Sequence, residues 1–481
     1  MGLLGRSLIT MDDLSYGEME ALFSLSDEMA ASMSEQFGIC KGKVMASLFF
    51  EPSTRTRLSF ETAMHRLGGG VISVADAKAT SLAKGESLAD MARVVGSYAD
   101  IIVVRHPWEG AARVVADYAG VPVINAGDGG HQHPTQTLCD LYTIRTERGN
   151  IRGLRIALWG DLKYGRTIHS LIFALAKFGA DILFCPSPGL EVPENIVRKL
   201  VTEYGGQVER IAGSERTARG TAFPLDAVYI TPSSPHQLAM MPVIDAAAEL
   251  REGVDALYVT RPQKERFVAS AEEEGLKERY PVVDKKLLRG REFRRTIVMH
   301  PLPRVDELAY DVDADPRSTY FKQAARGVPV RMALLAMLLG ARECAVPSDE
   351  ELHVARVEYP VYQRNYGVRC TNPACVSVQR SEAQYLKPEF KIVSRDPLTL
   401  RCVYCEHGSQ PEYVATTDWH EGKLEYKRYH RVDSHWAKTI RPENLIVFGS
   451  AADAKAHGFM PARRPGVHRG EDGEEKAAGE R

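Results

Sequence analysis

The feature that most restricts this fold is an alternation, over residues 1 to about 340, of short β-rich apolar runs with helix-period segments. "KVMASLFF" leads into a helical stretch from about Arg55, "ADIIVVRHP" into "EGAARVVADYA", and "LRIALWGD" into "GRTIHSLIFALAKFG". "ADILFC", "DAVYIT", "DALYVT" and "RTIVMH" are further short apolar runs that end in polar or loop residues. A strand followed each time by a helix predicts βαβ units, hence parallel sheets with helices on both faces. The number of units predicts two such α/β domains, within the roughly three domains that a chain of 481 residues supports.

Near residue 343 the character changes. "VPSDEELHVARVEYPVYQRNYGVRC" has no clear helical period, and β-branched and aromatic residues follow around a group of cysteines. A small β-rich domain is expected there. The last stretch, "RRPGVHRGEDGEEKAAGER", is charged and Gly-rich, and its composition predicts a disordered tail.

The formal net charge of −2 argues against a general nucleic-acid or membrane binder, so any basic site must be local. No apolar run is long enough to span a bilayer. The start, "MGLLGRSLIT", has neither a long apolar stretch nor a cleavage site, and Arg6 stands where a myristoylation signal wants Ser or Thr. A cytoplasmic location is expected.

Ser53, Thr54, Arg55, Thr56 and Arg57 form one unbroken polar run directly after an apolar strand. Phe60, Ala63, Met64 and Leu67 then recur at helical spacing, so a helix begins near Ser53 to Arg55. A helix N-terminus offers free backbone N–H groups and a positive dipole end. With three hydroxyls and Arg55 added, it becomes a cradle for an anion, best suited to phosphate. A plain N-cap would account for one hydroxyl but not for the whole run. "GDLKYGRT", Gly160 to Thr167, is a near miss for a nucleotide P-loop. Arg166 stands where the lysine belongs, which disfavours ATP chemistry and suits a carboxylate clamp instead.

Other polar groups follow strand ends: Arg105 and His106, His133 and Gln136, Arg261, Gln263 and Arg266, and His300 and Arg304. Ser81 and Lys84 lie in a loop of small residues. In open α/β sheets the ligand crevice lies beyond the carboxyl ends of the strands, so several of these groups can share one cleft. Singly, His106 or His300 reads as a structural histidine, and Lys264 and Arg266 as a solvated face. Jointly, arginines, histidines and hydroxyls with no evident nucleophile–base pair point to two anionic substrates that react directly with each other.

The chain resembles the aspartate carbamoyltransferases. "FFEPSTRTRLSFE", "TSLAKGE", "RHPWEGAAR", "NAGDGGHQHPTQTLCDLYTI", "GDLKYGRTIHSL", "TRPQKER" and "HPLPRVDE" match that family's signatures in order, over about residues 5 to 340. The resemblance implies the carbamoyltransferase fold, with a carbamoyl phosphate-binding domain over 1–145. An aspartate-binding domain would cover 146–342, its last helix returning to the first domain. It implies that Ser53, Thr54, Arg55 and Thr56 hold the phosphate with Arg105, and that Ser81 and Lys84 arrive from a neighbouring subunit. Gln136 and the carbonyls of Pro301 and Leu302 would hold the carbamoyl NH2, while His133, Thr56 and Arg105 polarise the carbonyl oxygen. Lys84, Arg166, Arg261 and Gln263 would bind aspartate. No catalytic metal or other catalytic cofactor is implied. About 30 residues beyond the family's usual length are expected between roughly 205 and 260, around "TPSSPHQLAMMPVIDAAAEL". The rivals are a carbamoyltransferase for another amine and a silent scaffold subunit; the latter is opposed by the presence of Arg55, Lys84, Arg105, His133, Arg166 and Arg261.

Of the eight cysteines, Cys370, Cys375, Cys402 and Cys405 are grouped as C-x4-C, 26 residues, C-x2-C. Two close thiolate pairs suit a tetrahedral structural zinc. Residues 343–412 resemble the zinc domain of the regulatory chain that accompanies some aspartate carbamoyltransferases, there a separate polypeptide and here fused. The resemblance implies trimers, joined in a dodecamer-like way through the zinc domain. The 25 residues between Cys344 and Cys370 are too few for a nucleotide-effector domain. Residues 413–465 resemble the small metal module of Ada-type DNA-repair proteins without its ligand cysteines: Ser434 and the Ala462–Arg463 stretch stand in their places. A metal-free β-rich appendage is expected, with residues 466–481 as the tail. An unrelated short β/α segment is the other reading of the appendage.

Overall fold

The structure, a computed structural model, describes residues 2–33, 38–75, 84–205, 208–210, 225–232, 254–261, 282–346, 359–417 and 427–462. Ser81, Gln263, Lys264, Arg266, most of the expected insertion and the tail lie outside the described residues. Two compact units form, Met1–Val357 and Glu358–Arg481.

The first unit opens with helix α1 (Tyr16–Ala31) and a parallel sheet of β1 (Val44–Phe49), β2 (Gly70–Val74), β3 (Ile101–His106) and β4 (Val123–Asp128), in the order β2-β1-β3-β4. Helices α2 (Thr54–Arg66), α3 (Leu88–Gly96), α4 (Ala111–Ala119) and α5 (Pro134–Arg148) supply the crossovers and the exit. β1 and β3 are covered on both faces, which is why they read as continuous apolar runs rather than as alternating ones. β2 is an edge strand with much of its length exposed.

The second sheet joins β5 (Arg155–Gly160), β6 (Asp181–Pro186), β7 (Val208–Arg210), β8 (Ala227–Thr231), β9 (Ala256–Val259) and β10 (Ile297–Met299) in the order β10-β9-β8-β5-β6-β7, again all parallel. Helices α6 (Arg166–Lys177) and α7 (Glu194–Tyr204) follow β5 and β6. Helix α8 (Tyr320–Leu338) leaves the β10 side and packs on α1, α2 and α5 of the first half, so it straps the halves together. The strand order reverses between β1 and β3 in one sheet and between β5 and β8 in the other. Loops that leave opposite sides of such a reversal diverge and open a crevice. The polar run after β1, Arg105 at the end of β3 and Arg166 after β5 all stand at these two points.

The second unit has an antiparallel sheet of β11 (Val361–Tyr362), β13 (Phe390–Arg395), β14 (Leu398–Cys402) and β15 (Gly408–Ser409). A second sheet runs β12-β18-β16-β17-β19, from β12 (Asn365–Tyr366), β16 (Tyr413–Thr416), β17 (Arg428–Arg431), β18 (Leu445–Phe448) and β19 (Met460–Pro461). β12 comes from the segment before Cys370, so that segment threads into the sheet of the appended residues. The threading needs glycine: a Cβ on Gly449 would lie 2.3 Å from the Gly367 carbonyl oxygen. Ser434 caps the short helix His435–Thr439, accepting from Ala437 N–H at 3.3 Å.

Candidate active site and metal centre

A cleft of about 860 Å³ opens between the two halves of the first unit. On one wall β1 ends, and Ser53 stands at the N-cap of α2 with φ −159° and no capping bond from its side chain. A cap is therefore not what Ser53 does here; its hydroxyl lines the cleft beside Thr54, Arg55 and Thr56. The free N–H groups of the first helical turn lie at the same place.

Phe49 pairs with Arg105, and Phe50 N–H donates to the Arg105 carbonyl at 2.8 Å, which fixes the end of β3 against the cradle. The buried Arg105 guanidinium donates from one terminal nitrogen to the Ala126 carbonyl at 3.1 Å and faces His133 Nε2 at 3.3 Å. Gly127, at φ +116°, leaves room for both: a Cβ there would sit 3.1 Å from the guanidinium and 3.4 Å from the imidazole. A guanidinium only donates, so His133 Nε2 is the acceptor and the ring proton sits on Nδ1. That Nδ1 is buried with no hydrogen-bond partner among the described residues. The ring is held neutral, its pKa pushed well below the usual value by burial first and then by Arg105, Arg166 and Arg331. The backbone N–H of His133 donates to Ser170 Oγ at 2.8 Å, which ties α5 to α6.

On the opposite wall Arg166 begins α6 and donates to Glu51 Oε2 at 2.9 Å and to the Gly129 carbonyl at 2.8 Å. The same Glu51 oxygen lies 3.2 Å from Arg105 Nε. Arg261, Pro301 and Leu302 complete this side. Leu302 has φ +53°, a region that non-glycine residues rarely enter, and its N–H donates to His300 Nδ1 at 2.8 Å. His300 Nε2 in turn meets Glu307 Oε1 at 2.8 Å.

Five arginines, Arg55, Arg105, Arg166, Arg261 and Arg331, line this cleft, and Glu51 is the only acidic side chain among the lining residues described. Cys139 also lines it, but burial pushes its thiol up, away from the thiolate a nucleophile needs. The arrangement can hold two anions side by side.

Two profiles of the aspartate/ornithine carbamoyltransferases match this unit: the carbamoyl-P binding domain over residues 6–146 and the Asp/Orn binding domain over 231–338. The aspartate carbamoyltransferase catalytic subunit of Thermoplasma acidophilum is 45% identical over 340 residues, 70% of this chain and 99% of that protein. The chain belongs to the aspartate carbamoyltransferase family. The catalytic subunit of the M. jannaschii aspartate transcarbamoylase is 43% identical with a TM-score of 0.56, over 70% of this chain and 98% of that one. The Trypanosoma cruzi aspartate transcarbamoylase in complex with carbamoyl phosphate and aspartate is 35% identical with a TM-score of 0.58, over 70% and 98%. This aspartate carbamoyltransferase family member therefore extends beyond the length it shares with them. Its extension matches the metal binding domain of the aspartate carbamoyltransferase regulatory chain over residues 364–414.

Of the residues singled out from the sequence, Ser53, Thr54, Arg55, Thr56, Arg105, His133, Gln136, Arg166, Arg261, Pro301 and Leu302 line the one cleft. Lys84 does not line it. His106 is structural: its Nδ1 accepts from Trp108 N–H at 3.0 Å, and burial lowers its pKa to about 4. Sequence reasoning missed Glu51, Asp140, Gln323 and Arg331. Glu51 stood inside the quoted motif, and its place beside two arginines is set by the fold alone.

In the second unit, the Sγ atoms of Cys370, Cys375, Cys402 and Cys405 all lie within 4.8 Å of one another, and all four residues are buried. Cys370 and Cys405 are 3.5 Å apart, and Cys375 and Cys402 3.8 Å. Metal–sulfur bonds of about 2.3 Å in a tetrahedron place the sulfurs roughly 3.8 Å apart, so the four thiols fit a structural metal. Without a cation such crowded thiols cannot all ionise. Cys375 is held low, by the hydrogen bond with Cys370 above all, while the bonds with Cys370 and Cys375 push Cys402 and Cys405 up. No helix among the described residues is long and apolar enough to cross a membrane.

Proposed function

We propose that the cleft transfers the carbamoyl group of carbamoyl phosphate to the amine of L-aspartate, giving N-carbamoyl-L-aspartate and phosphate for pyrimidine synthesis. The observation that carries the reading is five arginines against one carboxylate among the described residues of a single cleft, with a hydroxyl-rich helix N-terminus on one wall and Arg166 and Arg261 on the other. The phosphate binds Ser53, Thr54, Arg55, Thr56 and Arg105. Arg166 and Arg261, with Gln263, grip the two aspartate carboxylates. The neutral α-amine then lies beside the carbamoyl carbon, so the encounter becomes intramolecular. The new N–C bond forms, the C–O bond to phosphate breaks with its electron pair going to phosphate, and the proton the nitrogen loses passes to that departing phosphate. The carbonyl oxygen gains charge on the way, and His133, Thr56 and Arg105 are the donors that meet it. Gln136 and the carbonyls of Pro301 and Leu302 accept from the carbamoyl NH2.

Ser81 and Lys84 complete the site from a neighbouring copy, so the working form is a homotrimer or an assembly of trimers. Lys84 is exposed in the single chain, which is what supply in trans requires. Cys370, Cys375, Cys402 and Cys405 hold a structural zinc, which braces the unit's loops without taking part in transfer. The zinc domain joins trimers, in the cytoplasm. Carbamoylated product measured by colour, first with aspartate and then with ornithine, tests the substrate; product from ornithine alone, or from neither, defeats the reading. Sedimentation of the intact chain beside residues 1–342 tests the assembly, and identical sizes would remove the joining role.

A further inference from the structure

Asp140, on α5, is 1% exposed and does not line the cleft, yet it holds residues on both of the cleft's walls. Its Oδ1 accepts from Gln136 Nε2 at 2.8 Å and from Gln323 Nε2 at 2.8 Å. Its Oδ2 meets the Tyr258 hydroxyl at 3.0 Å. With both amide nitrogens turned to one carboxyl oxygen, each glutamine has its carbonyl oxygen left over. That of Gln323 accepts from His300 N–H at 2.9 Å, at the head of the Pro301–Leu302 turn. That of Gln136 remains for a ligand in the cleft, because Gln136 is itself a lining residue.

We propose that Asp140 is the positioning residue that makes this cleft select a carbamoyl NH2, and this rests on the carbamoyl phosphate reading above. An NH2 group needs two acceptors. One is Gln136 Oε1, which faces outward only while Nε2 is held from behind. The other lies on the Pro301–Leu302 carbonyls, whose turn is anchored through Gln323 to the same carboxyl oxygen. One buried group thus sets the polarity of the whole NH2 subsite. A site built from committed acceptors discriminates strongly against an analogue that lacks the donor, because the acceptors are then left unpaired.

The orientation does not depend on charge. Burial raises Asp140 to about 7, against the bonds from Gln136, Gln323 and Tyr258 and the charge of Arg331. Its other titratable neighbours are Tyr229 and Cys139, both pushed up and neutral. A proton on Asp140 would sit on Oδ2, where the Tyr258 hydroxyl can reverse and accept it, while Oδ1 still accepts from both amides. Asparagine can do the same, with its oxygen toward the glutamines and its NH2 toward Tyr258.

The test compares acetyl phosphate, in which a methyl replaces the NH2, with carbamoyl phosphate as ligands of the full-length enzyme, using the ratio of their Kd values from calorimetry. In Asp140→Leu that ratio falls at least tenfold toward unity, through weaker carbamoyl phosphate binding, while acetyl phosphate binds within threefold of wild type. In Asp140→Asn the ratio stays within threefold of wild type. Equal weakening of both ligands in Asp140→Leu, an unchanged ratio there, or an Asn variant as poor as the Leu variant each overturns the proposal. If Asp140→Leu does not fold, Gln323→Leu cuts one arm alone. It should then reduce the ratio by a smaller factor, and an unchanged ratio overturns the proposal. Wild-type product formation is measured first: if no carbamoyl aspartate appears, the functional reading fails, whereas the ratio experiment concerns Asp140 only.

Discussion

Replacing His133 with alanine tests the charge logic of the cleft most directly. The imidazole is almost fully buried, its Nε2 faces Arg105 at 3.3 Å, and its Nδ1 is the one ring atom with a proton to give. Three arginines and burial oppose a second proton, so the ring donates as a neutral group throughout the working pH range. Loss of one preorganised oxyanion donor costs about 3 kcal/mol, or roughly a hundredfold in kcat. The Kd for phosphate should move less than about threefold, because Ser53, Thr54 and Arg55 remain. Steady-state formation of carbamoyl aspartate from pH 6 to 9 gives kcat, and calorimetry gives the Kd for phosphate. The wild-type profile should carry no step near pH 6.5 that disappears in the variant, since His133 does not titrate there. A loss in kcat below fivefold would refute the oxyanion role. A step near 6.5 that vanishes with His133 would refute the neutral tautomer and make the residue a general acid or base.

Arg166→Lys replaces a forked, two-contact donor by a point charge, so the KM for aspartate should rise at least tenfold, while the Kd for carbamoyl phosphate changes by less than threefold; initial rates and calorimetry separate the two. His106 makes the fold acid-sensitive. Burial lowers its pKa to about 4, so below the ordinary 6.5 the unfolded chain binds a proton that the folded chain refuses. Stability present above pH 6.5 is therefore lost between 6.5 and 4, by about 3 kcal/mol, and urea titrations at pH 7.5 and 4.5 should show a smaller difference in His106→Gln. Chelation should release one zinc per chain and expose four thiols to a titrating reagent, those of Cys370, Cys375, Cys402 and Cys405. Metal analysis that finds no zinc, or thiols equally reactive before chelation, would count against the site.

How far the sequence carried depends on whether a signal was local. The parallel sheets were legible because the central residues of β1, β3, β5, β6 and β8 form buried apolar runs. β4 was missed, since "VINAGD" runs into a motif that reads as loop, and its buried Asn125 and Asp128 break the apolar run. Those two are satisfied inside the fold: Asn125 donates to the distant Ile9 carbonyl at 2.9 Å and to the nearby Asp128 at 2.8 Å. The cradle residues were legible because they adjoin one another in one motif. Gln323 and Arg331, which line the cleft, and Asp140, which holds Gln323 behind it, were not, because they come together only when α5 and α8 pack. On a helix such residues look like ordinary polar punctuation. The strand β12 was likewise invisible, for two residues have no period and their partner, β18, is some 80 positions away.

Glu51 explains how so many like charges can face one cleft before any substrate arrives. An opposite unit charge about 3 Å from a guanidinium attracts it by roughly 5 kcal/mol even at an effective dielectric of 20, enough to offset much of the repulsion among like charges. Glu51 lies within 3.2 Å of Arg105 and 2.9 Å of Arg166, one arginine from each sheet. It therefore serves both halves as an internal counter-ion and ties the first sheet to α6. On the proposed function, binding is an exchange: the phosphate and an aspartate carboxylate take over guanidinium surface that Glu51 now shares.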